Sequence, residues 1–204
     1  MDRLTLYTNP ASRGQIARWM LEEAGQPYDT VILGYGPPMQ TPAYLAINPM
    51  GKVPALTHGQ RVVTEGAAIC TYMADAFPDA GLMPDDRARF FRLMFFGAGP
   101  LEAAVTNKAL GVEVPAEKRG FVGYGSFDRA LRTLETLVAD FDYLGGPTFS
   151  AADVYLGSQI GWGMQFGTLP ATPAFRSYWE RVATRPAKLR ADAADAALVT
   201  KDGP

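Results

Sequence analysis

Apolar positions change their period several times along the chain. Leu4-Thr-Leu-Tyr7 alternates, as a short half-buried strand does, and Asn9-Pro10 ends it. From Gln15 to Ala24 the period lengthens: Ile16, Trp19 and Met20 share a helical face, with Glu23 in the same row, and Gly25 stops the helix. Ser12-Arg-Gly-Gln15 reads as a capping box, Ser at the N-cap and Gln three residues on. Tyr28–Leu33, apolar at Val31, Ile32 and Leu33, predicts a second strand, so the chain opens β-α-β with a parallel pair and a right-handed crossover. Gly34–Gln40 is a Pro/Gly loop and Pro42–Ile47 a helical turn. Pro54–Thr57 and Val62–Thr64 predict two short strands of a hairpin turning at His58-Gly59-Gln60. After Glu65-Gly66, the helix Ala67–Phe77 keeps Ala68, Ile69, Tyr72, Met73 and Phe77 on its apolar side. A four-stranded sheet with helices is complete by about residue 78.

Pro78–Pro84 is a linker by composition, and beyond it the patterning is helical throughout. Arg87–Gly111 predicts a long helix, apolar nearly all round at Phe90, Phe91, Leu93, Met94, Phe95 and Phe96. Such a helix is covered on more than one side, by its bundle and by a ligand or a second subunit. Gly97-Ala-Gly99-Pro100 should bend it. Phe127, Leu131, Leu134, Val138 and Phe141 follow at spacings of four and three, a further helix. Ser150-Ala-Ala-Asp153 is a second capping box ahead of a mostly apolar helix, Val154–Trp162, and Thr172–Ala183 and Pro186–Ala197 close the chain.

Composition narrows the chemistry. A net charge of −2 gives no electrostatic case for nucleic acid or an anionic membrane. Cys70 is the single cysteine and His58 the single histidine, so no disulfide framework or cysteine-based metal cluster can be assembled, and histidine-dependent catalysis would have to pass through His58. No run is apolar enough to span a membrane, and Met-Asp-Arg-Leu-Thr lacks the core of a signal peptide; a cytoplasmic, reducing setting is expected. Cys70, among Ala67, Ala68 and Ile69, reads as a small core residue, and His58 beside Gly59 as a solvated turn residue.

The stretch Asn48-Pro-Met-Gly-Lys-Val-Pro-Ala-Leu56 carries the most information. Pro54 has no N–H and a fixed φ, which suits a strand start or bend. With a cis Val53–Pro54 bond, the Val53 N–H and C=O would face outward and accept an extended peptide as an added strand. An ordinary trans proline entering an edge strand is the alternative, and spacing alone does not choose.

The layout resembles the cytosolic glutathione transferase superfamily over nearly the whole chain, most of all its serine-type bacterial members of unassigned class. The resemblance lies in Ser12-Arg-Gly-Gln-Ile-Ala-Arg-Trp-Met-Leu-Glu-Glu-Ala-Gly25 with Pro27-Tyr28, in Asn48–Leu56, in Thr64-Glu-Gly-Ala-Ala-Ile69 with Tyr72-Met-Ala-Asp75, and in Phe149-Ser-Ala-Ala-Asp-Val154. Phe175-Arg-Ser-Tyr-Trp-Glu-Arg181 with Arg185-Pro-Ala187 also matches. It implies an α/β thioredoxin-like domain over residues 1–78, a linker over 79–86 and an all-α helical bundle domain over 87–204 that holds the electrophile site. It further implies a cis Pro54, a Val53 backbone paired with the cysteinyl part of glutathione, Lys52 near the glycyl end, and Glu65-Gly66 in place of the pair that grips the γ-glutamyl end. Gly66 departs from the family, which has a serine there; its N–H at a helix start remains available to a carboxylate. Glutathione is the implied co-substrate, with no metal, and a homodimer is expected, with helix 87–111 as a contact.

Conjugation needs the thiol as thiolate. A free thiol titrates near roughly 8.5, and lowering that by about two units requires about 2.7 kcal/mol of anion stabilisation. A hydroxyl hydrogen bond to a charged group supplies roughly 1.5–3 kcal/mol and a helix N-terminus about 0.3–1. Ser12, at the mouth of its helix, offers both; Tyr7 and Asn9 are rival donors, and Arg13 would add positive potential. Phe95, Phe96, Trp162 and Phe166 are candidates to line a pocket for an apolar electrophile, although core packing would place aromatics the same way. The expected activity is conjugation of glutathione to a small apolar electrophile. A glutathione-dependent peroxidase or lyase, or a catalytically silent binding or assembly module, are the alternatives.

Overall fold

The computed structural model describes residues 2–199. They fall into two compact units: one is the chain up to Leu82 together with the chain from Thr184 on, the other Met83–Ala183.

The first unit is built on a four-stranded sheet in the order β2-β1-β3-β4, from β1 (Leu4–Thr8), β2 (Tyr28–Ile32), β3 (Ala55–His58) and β4 (Arg61–Thr64). β1 and β2 run parallel and are joined through α1 (Gly14–Ala24); β3 runs antiparallel to both β1 and β4. A one-turn α2 (Pro42–Leu45) follows β2, and α3 (Gly66–Ala76) follows β4. This is the thioredoxin-like order the sequence implies. His58 ends β3 and leaves a two-residue turn at Gly59-Gln60, one residue shorter than expected; its ring is half-buried, with Nδ1 2.7 Å from the Tyr72 hydroxyl, not a solvated turn side chain.

Alternation along β1 decides what each face meets. Leu4, Leu6 and Thr8 are buried on one face, while Tyr7 points to the other and packs with Met39, Tyr44 and Ala55. Gly14 lets α1 start close to the end of β1: a Cβ there would lie 1.8 Å from the Thr8 hydroxyl. The Ser12–Gln15 capping box does not form. The Ser12 hydroxyl accepts from the Gly14 N–H, the Ser12 N–H donates to the Asn9 carbonyl, and Gln15 donates its amide N–H to the Pro10 carbonyl at 2.6 Å instead of accepting from the N-cap.

The last helix, α9 (Pro186–Val199), belongs to this unit and packs along α1. Ion pairs tie α1 to α9 and to the residue just before it: Arg18 Nε to Asp195 at 2.7 Å, Arg185 to both oxygens of Glu23 at 2.7 Å, and Arg190 Nε to Glu22 at 2.9 Å. The first is buried, its side chains 3% and 6% exposed, and Arg18 also reaches Tyr28 and Thr30 on β2.

The second unit is helical. α4 (Arg87–Phe96) passes through a π-helical segment, Gly97–Leu101, into α5 (Glu102–Ala109); α6 (Phe127–Ala139), α7 (Ala151–Gln165) and α8 (Pro173–Ala183) follow. The expected bend is this π segment. It contains Pro100, and a Cβ on Gly97 would lie 2.9 Å or less from Tyr155 and Leu156 of α7. α7 is buried on nearly every side and opens with the Ser150–Asp153 capping box, so it begins at Ala151, not Val154. α4 buries Phe90, Leu93 and Met94 but exposes Phe91 and Phe95.

Candidate functional site

Strand register brings the candidate residues to one end of the sheet. Tyr7 pairs with Ala55 and Ala55 with Thr64, so Thr8, Pro54 and Glu65 follow one another across β1, β3 and β4. At the usual strand spacing that row spans roughly 10 Å. The β1–α1 turn, the 48–54 loop and the β4–α3 turn therefore share this end, and α1 and α3 both start there.

In the β1–α1 turn the Ser12 hydroxyl donates to the Asn9 carbonyl at 2.6 Å and accepts from the Gly14 N–H at 2.9 Å. Asn9 braces the turn against β2: its amide donates to the Leu33 carbonyl and its side-chain oxygen accepts from the Ala11 N–H, each at 2.9 Å. One of its two amide N–H groups is engaged by Leu33, and Asn9 so holds the turn in shape. Tyr7 lies half-buried with its ring 5.8 Å from that of Tyr44. Arg13 is exposed at the helix entrance.

Pro54 is buried behind a cis Val53–Pro54 bond, Val53 is half-buried and Lys52 exposed. At the third turn, Glu65 holds φ 70° and ψ 124°, the sole described non-glycine residue with positive φ. Gly66 follows as the first residue of α3, and no side chain caps that helix start among the described residues. The first-turn N–H groups lack intrahelical acceptors and carry the positive end of the helix dipole. Beside the exposed Glu65 carboxylate, the turn pairs an acceptor for an ammonium with donors for a carboxylate, the two ends of an α-amino acid.

The four aromatics read as electrophile contacts lie in the helical unit. Phe95 and Phe166 are 73% and 72% exposed, and Phe96 and Trp162 are half-buried. Burial pushes the Cys70 thiol far up, as suits a core residue. No group of three or more potential metal ligands occurs among the described residues, and none of their helices is long and apolar enough to cross a membrane. Tyr44 and Asn48 both donate to the Lys52 carbonyl; Asn48 stands before the Pro49-Met-Gly51 turn, a signal for turn chemistry, but nothing local in the sequence marks Tyr44.

Residues 12–76 match the glutathione S-transferase N-terminal domain family, and residues 102–162 the glutathione S-transferase C-terminal domain family. The chain is 28% identical to glutathione S-transferase GST-4.5 of Xanthomonas campestris pv. campestris, over 88% of this chain and 92% of that protein. It is 31% identical to the maleylacetoacetate isomerase of Pseudomonas aeruginosa, over 72% of this chain and 73% of the relative. A sphingomonad glutathione S-transferase solved in complex with glutathione aligns with a TM-score of 0.74 at 29% identity, covering 94% of this chain and 98% of the other.

Proposed function

Since this chain belongs to the glutathione S-transferase family, we propose that it binds glutathione at this end of the sheet and conjugates its thiolate to a small apolar electrophile. One observation supports the assignment above the rest: Glu65, a residue with a Cβ, is held in the left-handed region at the uncapped start of α3. Such a conformation costs of order 1–3 kcal/mol and persists where its placement serves a site. Glu65 takes the γ-glutamyl ammonium, and the Gly66 N–H the neighbouring carboxylate. Val53 pairs by its backbone with the cysteinyl residue over Pro54, and Lys52 and Arg13 answer the remaining negative charge.

Ser12 is assigned as the thiol's partner. Turning its proton from the Asn9 carbonyl to a thiolate exchanges a neutral hydrogen bond, worth roughly 0.5–1.5 kcal/mol, for a charged one worth roughly 1.5–3. The net gain of about 1 kcal/mol, with about 0.3–1 from the α1 N-terminus, lowers the thiol by slightly more than one pK unit. At neutral pH the ionised fraction then rises from a few per cent to about a third. Phe95, Phe96, Trp162 and Phe166 give the helical unit apolar surface for the electrophile. A homodimer in the cytoplasm is the expected setting, with exposed Phe91 available to a second copy.

Calorimetric titration with glutathione, beside aryl-halide conjugation and peroxide reduction, tests this. We expect binding with conjugation exceeding peroxide turnover, and Ser12→Ala to lower kcat at neutral pH about tenfold with little change in Kd. Tyr7→Phe should cost no more than about twofold. A tenfold loss confined to Tyr7→Phe moves the proton donor to Tyr7, and no heat at millimolar glutathione overturns the assignment.

A further inference from the structure

The orientation of Val53 is fixed from behind. The carbonyl of Lys52 receives two side-chain hydrogen bonds, from the Tyr44 hydroxyl at 2.5 Å and from Asn48 Nδ2 at 2.7 Å. Both donors belong to residues only 3% exposed. Both are themselves anchored. The Asn48 side-chain oxygen accepts from the Met50 N–H at 3.1 Å, and its backbone N–H donates to the Tyr44 carbonyl at 2.8 Å. Tyr44 sits on α2, with its ring among Met39, Ala55 and Tyr7.

A trans peptide carries its C=O and its N–H on opposite edges. The Lys52–Val53 peptide is trans, so a Lys52 oxygen drawn toward Tyr44 and Asn48 turns the Val53 N–H the other way. We propose that Tyr44 and Asn48 are positioning residues, which clamp the Lys52 carbonyl and thereby aim the Val53 N–H at the cysteinyl carbonyl of bound glutathione. The proposal rests on the assignment of glutathione to this end of the sheet. Two donors on one oxygen suit its two lone pairs and leave the peptide plane little freedom to rotate. Burial raises the Tyr44 hydroxyl above its usual titration range, so it stays protonated and a donor at and above neutral pH.

The test measures Kd by calorimetry for glutathione and for S-methylglutathione on the wild-type full chain, Tyr44→Phe and Asn48→Ala, with melting curves recorded in parallel. Tyr44→Phe keeps the ring against Tyr7 and removes only the hydroxyl. Each substitution should raise Kd roughly threefold to tenfold, equally for both ligands, because a backbone contact does not depend on an ionisable thiol. An unchanged Kd beside a lowered Tm reduces the pair to a brace of the fold and overturns the proposal. A rise confined to glutathione also overturns it, by tracing the effect to the thiol through Tyr7. If the wild-type chain binds neither ligand, the glutathione assignment falls and takes this with it; if it binds both and the variants bind equally well, only the clamp is lost.

Discussion

Glu65 separates the needs of binding from those of folding within one residue. Its φ of 70° is a conformation glycine adopts without the strain of a side-chain-bearing residue, about 1–3 kcal/mol against about 0.5–1 for glycine's greater unfolded freedom, so Glu65→Gly should not lower stability and should raise it by up to about 2 kcal/mol. The same change removes the carboxylate assigned to the γ-glutamyl ammonium, and glutathione Kd should rise about tenfold or more. Thermal melting and calorimetry on one preparation check both halves. Cys70 gives a second single-residue prediction. It is fully buried, and burial pushes its thiol far above the usual range, so neither a thiolate nor access is available in the folded unit. A chromogenic disulfide should label Cys70 only at the rate at which the first unit opens, and labelling should slow when S-methylglutathione, which has no thiol to consume the reagent, is present.

Where a signal is local, the elements follow the sequence. The Ser150–Asp153 box is read correctly because all its parts lie within four residues, and Asp153 also accepts from the Leu144 N–H at 2.7 Å and the Tyr178 hydroxyl at 2.9 Å. Asp153→Ala would leave these buried donors without an acceptor and should cost roughly 3–5 kcal/mol, read as a lowered denaturation midpoint. The apolar spacing of α6 was equally legible, although the helix stops at Ala139 and leaves Phe141 48% exposed. The supposed box at Ser12 failed because the Ser12 N–H it needs donates to the Asn9 carbonyl and Gln15 donates to the Pro10 carbonyl, partners brought near only once the turn has folded. The bend at Gly97–Leu101 could be foreseen from its glycines and proline, but its π form goes with the close approach of Tyr155 and Leu156. At the candidate site, the 48–54 loop and Glu65-Gly66 stood out by motif. The clamp from Tyr44 joins a side chain to a distant carbonyl, which no spacing rule encodes.

For the molecule as a whole, the unexpected feature is the return of α9 to the first unit. Its buried link, Arg18 to Asp195, joins residues 177 apart in the chain, a separation that leaves no trace in periodicity. Asp195→Ala would strand a buried guanidinium, and we expect a loss of roughly 3–5 kcal/mol in the first unit, followed by Cys70 labelling during a denaturant titration. Asp195→Leu together with Arg18→Met should recover much of that loss, since well-packed apolar side chains often replace a buried ion pair at little cost. The same contact has a bearing on biosynthesis. Translation delivers α1 long before it delivers Asp195, at about 5–20 residues per second. A nascent chain stalled before residue 195 therefore carries an Arg18 whose counter-charge has not yet been made, and the sheet-bearing unit reaches its finished form only after the helical one has been synthesised.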